Sequence, residues 1–94
     1  MKKVCIILAS YNGSKWIESQ IQSILKQTKV NIDLYINDDC SSDGTFEVLK
    51  KISKKRKNIF ISKSKNNSGS AAQNFFNLIL KINFQNYHYI SFSD

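Results

Sequence analysis

The sequence predicts an α/β domain: a Rossmann-like, mainly parallel sheet with helices on both faces, in the order β-α-β-α-β-α-β. Three observations carry this. Strand-like apolar runs alternate with segments whose apolar residues recur at helical spacing. The first run, Val4-Cys5-Ile6-Ile7-Leu8-Ala9, is apolar throughout, as in a strand buried on both faces. Polar or glycine-bearing residues follow every strand: Ser10 to Gly13, Asp38 to Thr45, Asn66 to Ser70, and Asp94. In a parallel sheet these gather on the carboxyl edge, where ligands bind.

Each element has its own signal. Val4 to Ala9 follows Lys2 and Lys3 but is too short for a secretory leader, and polar Ser10-Tyr11-Asn12-Gly13 comes at once, so it reads as the first strand. Ile17, Ile21, Ile24 and Leu25 mark a helix over about 14–27, with Ser14 as its N-cap. Ile32 to Asn37 alternates with period two and reads as a strand. A second helix is expected from Ser42 or Asp43, with Phe46, Leu49 and Ile52 inward and Glu47 favourably near its start. Asn58 to Ser62 is a short third strand. Phe75, Leu78, Ile79 and Ile82 mark a third helix, and Tyr87 to Phe92 a fourth strand, expected to pair beside the first.

Ninety-four residues, 41% of them hydrophobic, suit one small folded domain. No apolar run approaches the length that crosses a bilayer. The net charge is +7, and much of the excess lies between Lys50 and Lys65. A solvated helix end accounts for it most simply, since cations suit a helix C-terminus; contact with anionic headgroups is the sharper reading. No aromatic or glycine pattern interleaves these charges, so nucleic acid is not an expected partner. Cys5 and Cys40 lack metal-ligand spacing, and the lone His88 has no partner at such spacing. A reducing cytoplasm is the expected compartment.

Asp38-Asp39 is the sharpest internal signal. A carboxylate at a strand exit accepts a hydrogen bond from a ring N–H, which uracil and thymine present at N3 and cytosine does not. The wrong base leaves a buried acceptor unpaired. Asp is equally common in turns and caps, so Asp43 reads as a cap and either Asp38 or Asp39 as the binding group. Tyr11 offers a face for a base to stack on. Gly13 and the following helix start are expected to leave N–H groups near a bound anion. The segment matches neither a Walker A loop nor GxGxxG.

Five motifs in order, Ile6 to Gly13, Gln20 to Thr28, Asp38 to Thr45, Asn67-Ser68-Gly69 and Phe92-Ser93-Asp94, together resemble the N-terminal half of family 2 glycosyltransferases of GT-A fold, over essentially the whole chain. The resemblance implies an inverting transferase with a nucleotide-diphosphate-sugar donor (UDP or dTDP), a glycan or lipid-linked acceptor, and Mn2+ or Mg2+. It implies a nucleotide-binding set of Ala9, Tyr11, Asn12, Asp39, Gln73 and Asp94. Ala9 and Tyr11 would line the base pocket, Asp39 would bond the pyrimidine N3–H, and Asp94 would open the metal-binding Asp-x-Asp motif. Cys40 and Gln73 stand where the family often has glycine and a cation. Residues 1–94 are accordingly expected to be the donor-binding part, cut at the metal motif and inactive alone. The basic stretch, separately, allows peripheral contact at the inner face of the membrane. A non-catalytic remnant is the alternative. A phospho-acceptor receiver domain is disfavoured, because the first strand ends in Ser-Tyr-Asn-Gly rather than an acidic pair.

Overall fold

The computed structural model describes residues 2–26, 30–66 and 71–93, without the side chains at 71, 72, 75 and 77. Asp94, Gln27, the Asn67-Ser68-Gly69 motif and the Phe75 side chain therefore lie outside the described residues. The elements are β1 (Lys2–Ser10), α1 (Ile17–Leu25), β2 (Val30–Asp38), α2 (Thr45–Lys55), β3 (Ile59–Lys63), α3 (Ala71–Ile79), a single 3-10 turn (Phe84–Asn86) and β4 (Tyr89–Ser93). All strand pairs are parallel, in the order β3-β2-β1-β4.

That order explains the layers. The chain steps one way from β1 to β3, then crosses back to reach β4. With right-handed crossovers, the last helix must fall on the opposite face from the first two. Ile6 and Leu8 of β1 and Ile32, Leu34 and Ile36 of β2 pack with Ile17, Ile21 and Ile24 of α1 and Leu49 of α2. Cys5 and Ile7 face the other way and pack with Leu78 and Ile82. β1 is buried on both faces, as its unbroken apolar run requires. Burial, and secondarily the charge of Asp33, pushes the Cys5 thiol up to about 11, so it packs as a small hydrophobe.

Both α1 and α2 start later than expected. Ser14 does not cap α1: Trp16 holds the N-cap position without a side-chain bond. The Gly13 carbonyl accepts from the N–H groups of Trp16 and Ile17, both at 2.9 Å. The Ser14 N–H is instead held by Asp43 Oδ2 at 3.1 Å. α2 starts at Thr45, after Gly44 in the left-handed region at φ 89°. Asp43 still serves this end, as its Oδ1 accepts from the Thr45 N–H at 3.1 Å.

At the amino edge, the His88 N–H donates to the Lys3 carbonyl at 2.9 Å, and His88 Nδ1 accepts from the Lys3 N–H at 3.0 Å. This pair opens the β1–β4 ladder. Nearby, the Tyr87 hydroxyl donates to Asp33 Oδ2 at 2.7 Å and meets the Tyr35 hydroxyl at 2.9 Å. Burial and these two bonds raise the Tyr87 pKa well above its ordinary value.

Candidate functional site at the carboxyl edge of the sheet

The strand order reverses between β1 and β4, and in open α/β sheets a crevice for ligand opens at that point. The end of β1 is therefore the centre of the site. Ser10 pairs with Asp38 across β1 and β2, and Leu8 with Ser93 across β1 and β4.

The two aspartates divide sharply. Asp38 is fully buried and its oxygens are engaged within the fold. Oδ1 accepts from Ser10 Oγ at 2.8 Å and Ser41 Oγ at 2.6 Å, and Oδ2 from the Ser41 N–H at 2.9 Å. It braces β1 against the loop after β2. Asp39 follows the strand, with its N–H donated to the Ser10 carbonyl at 2.9 Å. It is buried at 3% exposure, and its partner Ser10 directly precedes Tyr11, which is 52% exposed.

The loop after β1 is laced to the loop after β2. The N–H groups of Asn12, Gly13 and Ser14 donate to Ser41 Oγ (2.8 Å), Thr45 Oγ1 (3.0 Å) and Asp43 Oδ2 (3.1 Å). Asn12 Oδ1 accepts the Ser42 N–H at 2.9 Å. These three donors are thus spent inside the protein, which corrects the expectation that this turn offers its N–H groups to an anion. Thr45, wholly buried, links both sides by also donating to Asp43. That bond comes first, and the Ser14 and Thr45 backbone bonds add to it, in holding the Asp43 carboxyl down at about 2.

A second polar cluster was not visible in the sequence. Asn37 and Asn74 are buried and bonded side chain to side chain. Asn37 also takes bonds with Ser64 Oγ (2.9 Å) and Ser62 Oγ (2.7 Å), while Asn74 Nδ2 donates to the Ser10 carbonyl at 3.3 Å. The first turn of α3 is thereby pinned to the end of β1. Gln73, beside Asn74 on that turn, is exposed; Ala9, Tyr11 and Asn12 lie at the end of β1, and Asp39 follows β2. Period-two alternation, which puts Asn37 on the face of Tyr35 inside the sheet, was the available signal for a buried polar partner.

Among the described residues, no three of His, Cys, Asp or Glu lie close enough to hold a metal ion. A hollow of about 370 Å³ lined by Lys3, Asn31, Asp33 and Asn58 lies at the opposite edge and shares no residue with the rim.

Fold and rim together define a class: doubly wound α/β domains that take a ligand where the strand order reverses. The model of "Glycosyl transferase family 2" matches residues 5–78, and the chain belongs to that family. It is 41% identical over 88 residues to the dTDP-rhamnosyl transferase RfbG of Shigella flexneri, covering 93% of this chain and 30% of the relative. It is 38% identical over 94 residues to the Escherichia coli UDP-Glc:alpha-D-GlcNAc-diphosphoundecaprenol beta-1,3-glucosyltransferase WfaP, covering 100% of this chain and 35% of the relative. Among solved structures, the 1–349 portion of S. aureus TarS in complex with UDP matches with a TM-score of 0.83 at 26% identity, covering 98% of this chain and 27% of that one. The chain spans about a third of the length of these relatives.

Proposed function

We propose that this chain binds the nucleotide of a pyrimidine-diphosphate sugar, UDP- or dTDP-linked, for an inverting glycosyltransferase acting on a glycan or lipid-linked acceptor. The observation that carries this reading is the buried Asp39 carboxylate at the end of β2, tied by its backbone to β1 beside the exposed Tyr11. Asp38 is consumed as a brace, and base recognition through N3–H is assigned to Asp39, the position that the family resemblance implies. Ala9 and Tyr11 flank the base, Asn12 holds the loop that presents Tyr11, and Gln73 meets the ribose or diphosphate. Relatives named for dTDP and UDP donors support the pyrimidine.

A divalent cation, Mn2+ or Mg2+, would draw on Asp94 and the diphosphate, needing only one or two carboxylates and keeping several waters. It would offset charge on the leaving nucleoside diphosphate. Among the described residues, Asp38 and Asp43 are bonded within the loops and Asp33 lies at the far edge, so none of these three serves as general base. On this reading the chain binds donor and does not transfer sugar by itself; product formed by purified residues 1–94 would contradict that. Both cysteines are free thiols, in keeping with the cytoplasmic side of the membrane.

Calorimetric titration with uridine, thymidine and cytidine diphosphates in the presence of Mn2+ tests the base assignment. Uridine and thymidine should bind about 5–100-fold tighter than cytidine, the penalty of a lost hydrogen bond to a buried charge. Asp39→Ala should erase the difference. Equal binding of all three by the unmodified chain would end the proposal.

A further inference from the structure

We propose that the side of the domain formed by α2 and the β3 edge docks on the anionic surface of a lipid bilayer. The charges of this chain are segregated. Between Val48 and Ser93 there are nine lysines and arginines and no aspartate or glutamate. The fold gathers most of them on one side. Thr45 and Leu49 bury the inner face of α2. Lys50, Lys51, Lys54 and Lys55, spaced i, i+1, i+4 and i+5, are all exposed on the opposite face. Arg56 and Lys57 prolong the row. β3 is the outer strand of the sheet on this side. Lys63 at its end stands over the Phe46 ring at 5.3 Å, and Lys50 stands over the same ring at 5.4 Å. Helix and strand cations thus form one surface.

A favourable helix end does not account for this arrangement. The dipole reaches only the last turn, which holds Lys54 and Lys55. Lys50, Lys51, Lys57 and Lys63 gain nothing from it. The six cations from Lys50 to Lys57 have no ion-pair partner among the described residues, so their field is directed outward. All of them but Arg56 are lysines, compact hydrated charges suited to diffuse attraction rather than to forked recognition of phosphate. Nucleic-acid grooves add stacking aromatics; here Phe46 is covered by two ammonium groups, and Phe60 of β3 is already stacked on Tyr35 at 4.7 Å. Clusters of four to eight basic residues on an amphipathic helix fit anionic lipid. β3 and β4 are opposite edges of the sheet, so docking here leaves the rim between β1 and β4 open. The inference rests on charge and placement and does not depend on which nucleotide the rim binds.

The test is co-sedimentation of the 94-residue chain with vesicles of phosphatidylcholine, with or without about 30 mol % phosphatidylglycerol, in about 0.1 M and 0.5 M NaCl. Binding is expected only with the anionic lipid, and only at the lower salt. K54Q/K55Q should weaken partitioning about 25-fold, at about fivefold per lysine. K2Q/K15Q, with the same change in net charge at exposed positions outside the patch, should weaken it by no more than about threefold. Equal losses from the two pairs, binding to neutral vesicles, or complete displacement from vesicles by an equal phosphate concentration of single-stranded RNA would each overturn the proposal. Uridine diphosphate titration of K54Q/K55Q, expected to match the unmodified chain, keeps this outcome separate from donor binding.

Discussion

Two neighbouring aspartates with opposite fates set the logic of the site at the scale of single residues. Their spacing along the chain marked both as candidates, because a strand exit gives either one access to the rim. Only the cross-strand pairing of Ser10 with Asp38 reveals that Asp38 braces the two strands. Cys40 next to them takes φ 61°, a conformation that suits glycine. The left-handed form costs an L-residue about 1–2 kcal/mol, and glycine's greater freedom when unfolded returns about half of that. Cys40→Gly should therefore raise stability by about 0.5–1 kcal/mol, read as a higher urea midpoint at unchanged slope. A lower midpoint would mean that the weak contact of Cys40 Sγ with the Lys65 carbonyl outweighs the strain. Asp43 supplies a pH dependence. Its folded pKa, about 2, lies below the ordinary 3.8, so the stability it contributes is present above 3.8 and fades as pH falls through about 2. Asp43→Asn should flatten that acid limb relative to the unmodified chain; superimposable limbs would refute the role given to the Thr45 and Ser14 bonds.

Among elements, the types and order of all four strands and three helices were legible, because period two and period 3.6 are both strong in this chain. The boundaries were not. α1 begins at Ile17 rather than near Ser14, and α2 at Thr45 rather than Ser42 or Asp43. At α1 a bond between distant loops holds Ser14, the residue that local capping rules would have used; at α2 Asp43 keeps its capping bond to Thr45, and the left-handed Gly44 sets the later start. The 3-10 turn at Phe84–Asn86 left no periodic trace at three residues. α3 shows what patterning leaves out: its apolar stripe predicted a helix, but the buried Asn74 bond to the Ser10 carbonyl sets where it sits. Asn74→Ala should cost about 1–3 kcal/mol and speed amide exchange in α3 more than in β1 or β2. Uniform acceleration across the molecule would show that the pin is not local.

For the molecule as a whole, the strand order β3-β2-β1-β4 has a stable interior and one vulnerable margin. β4 has no neighbour on its far side among the described residues, and Tyr89, Ile90 and Phe92 are 57%, 43% and 55% exposed there. An apolar, unpaired strand edge invites pairing between copies. The isolated chain should associate as its concentration rises, and Ile90→Lys should shift sedimentation toward monomer; an unmodified chain that stays monomeric at high concentration would remove this expectation. The laced loops after β1 and β2 have a different consequence. In the proposed nucleotide site, the backbone of the seat is already fixed by four cross-loop hydrogen bonds. Little freedom is left to surrender on capture, so association should proceed with small ordering losses and at a speed set by diffusion and charge rather than by rearrangement of that seat.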